Sequence, residues 1–474
     1  MNEMNIKQIS TQDKIAFGVG DMGNALAMQI IGSYLVFFMT VILGLPGSLS
    51  GLIIGISIVW DAITDPVMGY ISDHTRLKKF GRRHLYILIG SMGVSWSILC
   101  IFMTPINSEP MYKASTLLLF ILAYKTFVTI LATPYAALGA ELVADYHERA
   151  RLQSIRALFF MVGIALSMVV GMFIFFQPTF AYPIGQLNPR AYQNMALFTA
   201  MGTLIFPMIT VISTMKYIPK LKQVDIGQEK GNIVDFIKNF KATFQNESYK
   251  FLVLTYTFIN IAIAFINSLG LHVFTFTFGY TGTQIAIVLG IQVLFSIISQ
   301  PFWLSRVRKR DKRMAIFESL TMMLFAHLYF FFLIINSEFL QGQIFPFMPY
   351  FLVAGFASGA LFTIPSSMVA DSVDVEELES GERKEGAYFG NLTFFYKLSQ
   401  SFTVLCIGLL LDLIGFNSTY SIQTVMTRQY LGYSMVIGVG SALFIAGICI
   451  RGYSLSKDQL HIIQNKLKNK ERAA

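Results

Sequence analysis

The sequence predicts an all-α membrane protein of twelve transmembrane helices arranged as two pseudo-symmetric six-helix halves. Three observations carry this. Of 474 residues, 54% are hydrophobic and only 13% charged, which is the profile of a chain that lives in lipid. Apolar runs near the ~20 residues needed to cross ~30 Å of hydrocarbon recur from one end to the other. A long polar stretch after the sixth run divides the chain six and six.

The polar start, MNEMNIKQISTQDK, leads into an apolar run at 15–43 that is too long for the core of a secretory signal, so an uncleaved first span is expected. The signal-like Ala25-Leu26-Ala27 falls inside it and reads as helix packing. Spans two to six are expected at 49–72, 85–105, 113–143, 154–176 and 195–217. KYIPKLKQVDIGQEKGNIVDFIKNFK follows as a central loop, and spans seven to twelve are expected at 249–276, 282–304, 314–335, 345–370, 385–412 and 431–452. The expected organisation is a bundle over 1–217, a cytoplasmic loop over 218–248, a second bundle over 249–452 and a cytoplasmic tail over 453–474.

Orientation follows from the basic residues. With the N-terminus inside, 31 of the 36 Lys and Arg fall on the cytoplasmic side, only Lys113, Arg190 and Arg428 fall outside, and Lys125 and Lys397 lie within spans. The positive-inside rule then puts both termini in the cytoplasm of a multi-pass plasma or inner membrane protein. The halves echo each other: Ile63-Thr64-Asp65-Pro66 before the basic HTRLKKFGRRH resembles Ile298-Ser299-Gln300-Pro301 before SRVRKRDKR, and Thr133-Pro134 has a counterpart in Ile364-Pro365. Repeats of this kind build many transporters, with the binding site near the midplane.

A carboxylate at the bilayer centre costs roughly 2.5–3.5 kcal/mol, so it needs a partner, an ion or water. At 1.5 Å per residue, Asp65 lies ~12 Å and Asp61 ~18 Å from the inner end of span two. Their i, i+4 spacing puts both on one face, where mutual repulsion favours a bound cation or a shared proton. A structural ion pair with Lys125 or Lys397 is the plainer alternative. Pro66 loosens the helix there and frees a carbonyl that also suits a cation. Lys397 lies deep in span eleven and is expected to balance charge or reach substrate hydroxyls. Lys125 shares a face with Thr129 and Ala132, and is expected either to pair with an aspartate or to meet an anionic substrate.

Asp21 and Asn24 offer polar lining from span one, with Asp21 also placed to act as a gate or cap. Glu141, Asp145, Glu148 and Arg149, with Asp371 and Asp374, read as gate and loop pairs or as solvated helix ends. His272 and His327 lack metal-ligand neighbours and read as packing. Cys100, Cys406 and Cys449 show no disulfide or zinc spacing. Gly18-Val19-Gly20-Asp21-Met22-Gly23 matches G-x-G-x-x-G but follows no strand, so small residues for close helix approach are the better account. The basic segments LKKFGRRH and KLKNKER belong to no nucleic-acid module, and topology with anionic lipid accounts for them.

WDAITDPVMGYISDHTRLKKFGRRHLYIL, TPYAALGAELVADYHERARLQSIR and SVDVEELESGERKEGAYFGNLTFFYKL together resemble the glycoside-pentoside-hexuronide:cation symporters of the major facilitator superfamily, over most of the chain. The resemblance implies the major facilitator fold, a monomer, and uptake of a sugar coupled to Na+, Li+ or H+ by alternating access, with no other cofactor. Position by position it makes Asp61 and Asp65 the cation-binding aspartates, Thr129 the threonine beside them and Lys397 the span-eleven lysine near that site. Thr64 stands where the family's melibiose carrier has asparagine, still an oxygen ligand. The sugar site departs further. Two sugar-gripping aspartates of that carrier fall at Ala25 and Ala132, a neighbouring tryptophan falls at Ala136, and Arg156 matches a further family arginine. Losing two carboxylates and gaining Lys125 suits an acidic sugar such as a hexuronide.

Two other functions fit parts of the same pattern. An amphiphile or lysolipid carrier on the same fold would need a lateral opening. A membrane prenyltransferase would use DxxxD as a magnesium-diphosphate motif, but it needs a facing Asp-rich motif, for which Asp371-Ser372-Val373-Asp374 is a weak candidate.

Overall fold

The computed structural model describes residues 9–75, 81–143, 146–220, 242–381, 384–418, 420 and 422–473. The centre of the basic loop (76–80), Asp145, residues 221–241 of the central loop and Arg383 therefore lie outside the described residues.

Among the described residues every regular element is helical, and twelve helices are long and apolar enough to cross a membrane. In chain order they are α1 (Thr11–Phe37), α2 (Gly47–His74), α3 (His84–Phe102), α4 (Pro110–Leu142), α5 (Tyr146–Ala165), α6 (Pro189–Thr214), α7 (Glu247–His272), α8 (Gly282–Ile298, resuming as Gln300–Lys309), α9 (Lys312–Ile335), α10 (Met348–Ser380), α11 (Glu385–Leu413) and α12 (Val425–Cys449). A further helix, α13 (Lys457–Ala473), follows them.

Several helices start a turn earlier than the apolar runs, because polar caps build the first turn. Ser10 accepts from the Asp13 N–H, Asn188 from Arg190 with Pro189 next, and Thr424 from Thr427. At the other end, α10 runs through the acidic EELES and stops where Gly381 takes φ 74°, the left-handed cap that a residue without Cβ adopts at no cost. Pro66 does not end α2, which continues to His74.

The chain divides into two compact units. The first holds residues 1–228 with 281–286 and 408–422. In it α1 packs on α5 and α6, α3 on α4 and α6, and α2 on α4. The G-x-G-x-x-G run is a packing surface: a Cβ on Gly20 would lie 2.2 Å from Thr210 Oγ1 of α6, and one on Gly23 2.9 Å from Pro207 Cδ. Pro46 offers no side-chain cap to α2; instead Asp412 accepts from the N–H groups of Gly47 at 2.7 Å and Ser48 at 2.8 Å. A carboxylate on those free N–H groups also meets the positive end of the helix dipole.

The second unit holds 229–280, 287–407 and 423–474. There α7 packs on α12, and α9 on α10 and α12. Phe274, Phe278, Phe330, Phe347 and Tyr350 interlock as its aromatic core. His272 is fully buried in α7, and His327 is buried with Nδ1 2.9 Å from the Met323 carbonyl and its ring edge-on to Tyr350.

Candidate functional site

On α2 the two faces differ sharply. Val59, Ile63 and Val67 are 66%, 58% and 52% exposed, an apolar stripe suited to lipid, while Asp61 on the opposite side is 3% exposed. That buried side faces α4. The two helices meet in matched register, so residues of equal spacing pair across them. Lys125 Nζ donates to Asp61 Oδ2 at 3.5 Å, and Thr129 Oγ1 donates to Asp65 Oδ1 at 2.7 Å, each pair separated by 64 residues in the chain.

Thr129 Oγ1 also lies 3.3 Å from Asp61 Oδ1. A hydroxyl carries one proton and can satisfy only one of two carboxylate oxygens. The proton goes to the nearer oxygen, Asp65 Oδ1, and Asp61 Oδ1, Asp65 Oδ1 and the hydroxyl oxygen form one oxygen cluster between α2 and α4. Carboxylate and hydroxyl oxygens are hard donors of the kind that hold Na+ as well as a proton. Thr64 is next to this cluster in the chain, but its hydroxyl donates to the Asp61 carbonyl of its own helix at 3.3 Å.

A second ionic cluster lies in the same unit. Arg156 of α5 donates through Nε to Asp21 Oδ2 of α1 at 2.8 Å, Asn24 Nδ2 lies 3.3 Å from Asp21 Oδ1, and the guanidinium carbon lies over the Tyr135 ring of α4, 5.4 Å from its centroid. The Tyr135 hydroxyl in turn donates to the Phe17 carbonyl. Asp21 was expected as lining, gate or cap, and its pairing with Arg156 was not foreseen. The two lie 135 residues apart, and no spacing rule links them. Ala25 is fully buried, Ala132 is half-buried on α4, and Lys397 is half-buried on α11 within the second unit.

The charged residues at the ends of the spans are paired. Glu141 binds Arg82 at 2.8 Å and Arg83 at 2.9 Å, and Glu148 binds Lys14. Arg149 closes α4 by donating to the Ala140 and Val143 carbonyls. In the second unit Lys312 holds Asp371 at 2.6 Å, and Gln464 Nε2 donates to Asp374 at 3.0 Å. Among the described residues no three His, Cys, Asp or Glu side chains gather as a metal cluster.

Twelve helices long and apolar enough to cross a membrane, with carboxylates, a hydroxyl and basic side chains paired inside the first unit, define a multi-span membrane protein. The chain belongs to the MFS/sugar transport protein family, whose profile matches residues 16–457. It is 24% identical to the inner membrane symporter YicJ of Escherichia coli (strain K12), covering 98% of this chain and 96% of that one. It is also 24% identical to a putative sulfoquinovose importer of the same strain, covering 100% and 97%. A crystal structure of a D-xylose-proton symporter shares the fold, with a TM-score of 0.61 at 17% identity over 91% of this chain and 96% of that one. The protein is accordingly a transporter and not an enzyme, and the diphosphate reading of DxxxD falls away.

Proposed function

We propose that the chain takes up an acidic sugar, of the hexuronide kind, together with one monovalent cation, Na+ or H+, by alternating access. The observation that carries the reading is the single Thr129 hydroxyl set between Asp61 and Asp65, which brings three hard oxygens together in the way that suits a shared cation or proton. Lys125 supplies the counter-charge on Asp61, and Lys397 keeps the charge-balancing role that the family resemblance gives it. Thr64 stands by as a further oxygen. Asn24, Arg156 and Ala132 belong to the sugar side. The acidic character is supported by the two missing carboxylates at Ala25 and Ala132, by the guanidinium of Arg156, and by the anionic cargo named for the sulfoquinovose importer.

The reading further places the termini and residues 218–248 in the cytoplasm, with a monomer in the plasma or inner membrane and two bundles over 1–217 and 249–452. Cation binding favours the state that binds sugar, and by reciprocity sugar tightens cation binding by the same factor. The test is uptake of a labelled panel of neutral and acidic sugars into proteoliposomes under imposed Na+ or H+ gradients, with Asp65→Cys as control. Gradient-driven uptake that disappears in the variant is expected. Uptake indifferent to both gradients and to the substitution overturns the proposal.

A further inference from the structure

The arrangement around Arg156 goes further than a family position. Its bond to Asp21 uses Nε, and the two terminal nitrogens have no protein hydrogen-bond partner among the described residues. The exposures are unequal: the Arg156 side chain is 25% accessible, whereas that of Asp21 is 4%. Asp21 is therefore the fixed, buried member of the pair, and the guanidinium is the member with an open side. The Tyr135 ring lies within cation–π range at 5.4 Å, and the planar guanidinium presents its two terminal N–H2 groups as a fork. Such a fork matches the two oxygens of a planar carboxylate, or two of a sulfonate, with parallel charge-assisted hydrogen bonds. Asn24 Nδ2 lies 3.3 Å from Asp21 Oδ1, on the other oxygen of the same carboxylate. Asp21 lies ~15 Å along α1 from Thr11, deep enough for the fork to meet a solute inside the bilayer.

Lys125 of α4 is paired with Asp61. Along α4, Tyr135 and Lys125 are ten residues, ~15 Å, apart, so the two ionic clusters occupy different levels.

We propose that the oxyanion of the substrate is read by the terminal nitrogens of Arg156, and that Asp21 is its positioning residue and built-in counter-ion. This rests on the acidic-sugar reading above and assigns the recognition to Arg156 in place of Lys125. Because Asp21 already neutralises the guanidinium, an arriving anion joins as a second partner instead of capturing an unpaired charge. Affinity is thereby moderated, and release stays fast.

The experiment measures binding of D-glucuronate, sulfoquinovose and neutral D-glucose to the full-length protein in lipid nanodiscs, by calorimetry at constant salt. The readout is the ratio of acidic-sugar to glucose affinity, which a merely structural role would leave unmoved. Wild type prefers at least one acidic sugar. Arg156→Lys, which keeps the charge and loses the fork, lowers that preference about tenfold or more. Asp21→Asn raises it, because the guanidinium is left uncompensated. Lys125→Met shifts acidic and neutral sugars together. A preference that survives Arg156→Lys, or that collapses in Lys125→Met, overturns the inference while leaving an acidic substrate standing. Equal losses of acidic and neutral sugar binding in Asp21→Asn overturn the counter-ion role. If wild type binds neither acidic sugar more tightly than glucose, the acidic-substrate reading itself fails, and this inference fails with it.

Discussion

At the scale of single residues, the pairing across α2 and α4 separates what holds the helices together from what couples transport. Asp61→Asn leaves the Lys125 ammonium without its carboxylate, a cost of about 2 kcal/mol given that Lys125 keeps partial access to water. Adding Lys125→Met removes the orphaned charge. The double variant is therefore expected to recover most of the thermal stability that Asp61→Asn loses, with no recovery of gradient-driven uptake. Recovery of both would reduce Asp61 to a structural partner. Thr129→Val keeps the shape and removes the hydroxyl. A hydrogen bond to a charged group is worth about 1.5–3 kcal/mol, so the cation concentration for half-maximal uptake should rise roughly ten- to a hundredfold. Unchanged cation dependence would remove Thr129 from the site. The carboxylates and Lys125 were visible in the sequence because a charge inside an apolar run has few harmless explanations. The Asp21–Arg156 pair was not, because it is made by α1 and α5 meeting, and pattern alone does not say which turns meet.

At the scale of elements, the number and order of the spans were legible, since hydropathy over ~20 residues integrates many weak signals into one strong one. Their ends were not. Caps such as Ser10, Asn188 and Thr424 extend helices into polar sequence that hydropathy scores as loop. The π-turns Phe38–Ile42, Leu166–Val170 and Val273–Thr277 leave no mark in an unbroken apolar run. The Asp412 cap on α2 comes from 365 residues away. Helix approach gives the prediction at this scale. At Gly20 of α1 a side chain meets Thr210 and Tyr135, so Gly20→Val should cost about 1–3 kcal/mol or more by overpacking and lower the unfolding temperature in detergent. Gly440 on α12 has nothing within 4 Å of a built Cβ, and Gly440→Ala should be neutral or slightly stabilising, since alanine is the better helix former. Equal behaviour of the two variants would contradict the close packing of α1 on α6.

At the scale of the whole molecule, the charges decide what a transport cycle moves across the membrane. In the proposed cycle one monovalent cation enters the cluster of Asp61, Asp65 and Thr129 with each sugar. If the sugar carries one negative charge, a one-to-one cycle moves no net charge. A potential of 100 mV acts with ~2.3 kcal/mol on each elementary charge moved, enough for close to a fiftyfold change in accumulation. The acidic-sugar cycle should escape this, because the charges of cation and sugar cancel. Proteoliposomes given an inside-negative potassium diffusion potential through valinomycin, at equal Na+ and pH on both sides, are therefore expected to show no potential-driven accumulation of the acidic sugar, while a Na+ or H+ gradient still drives it. Accumulation driven by potential alone would mean that positive charge accompanies the sugar, through a second cation or a neutral substrate, and the proposed pairing of one cation with one acidic sugar would have to be abandoned.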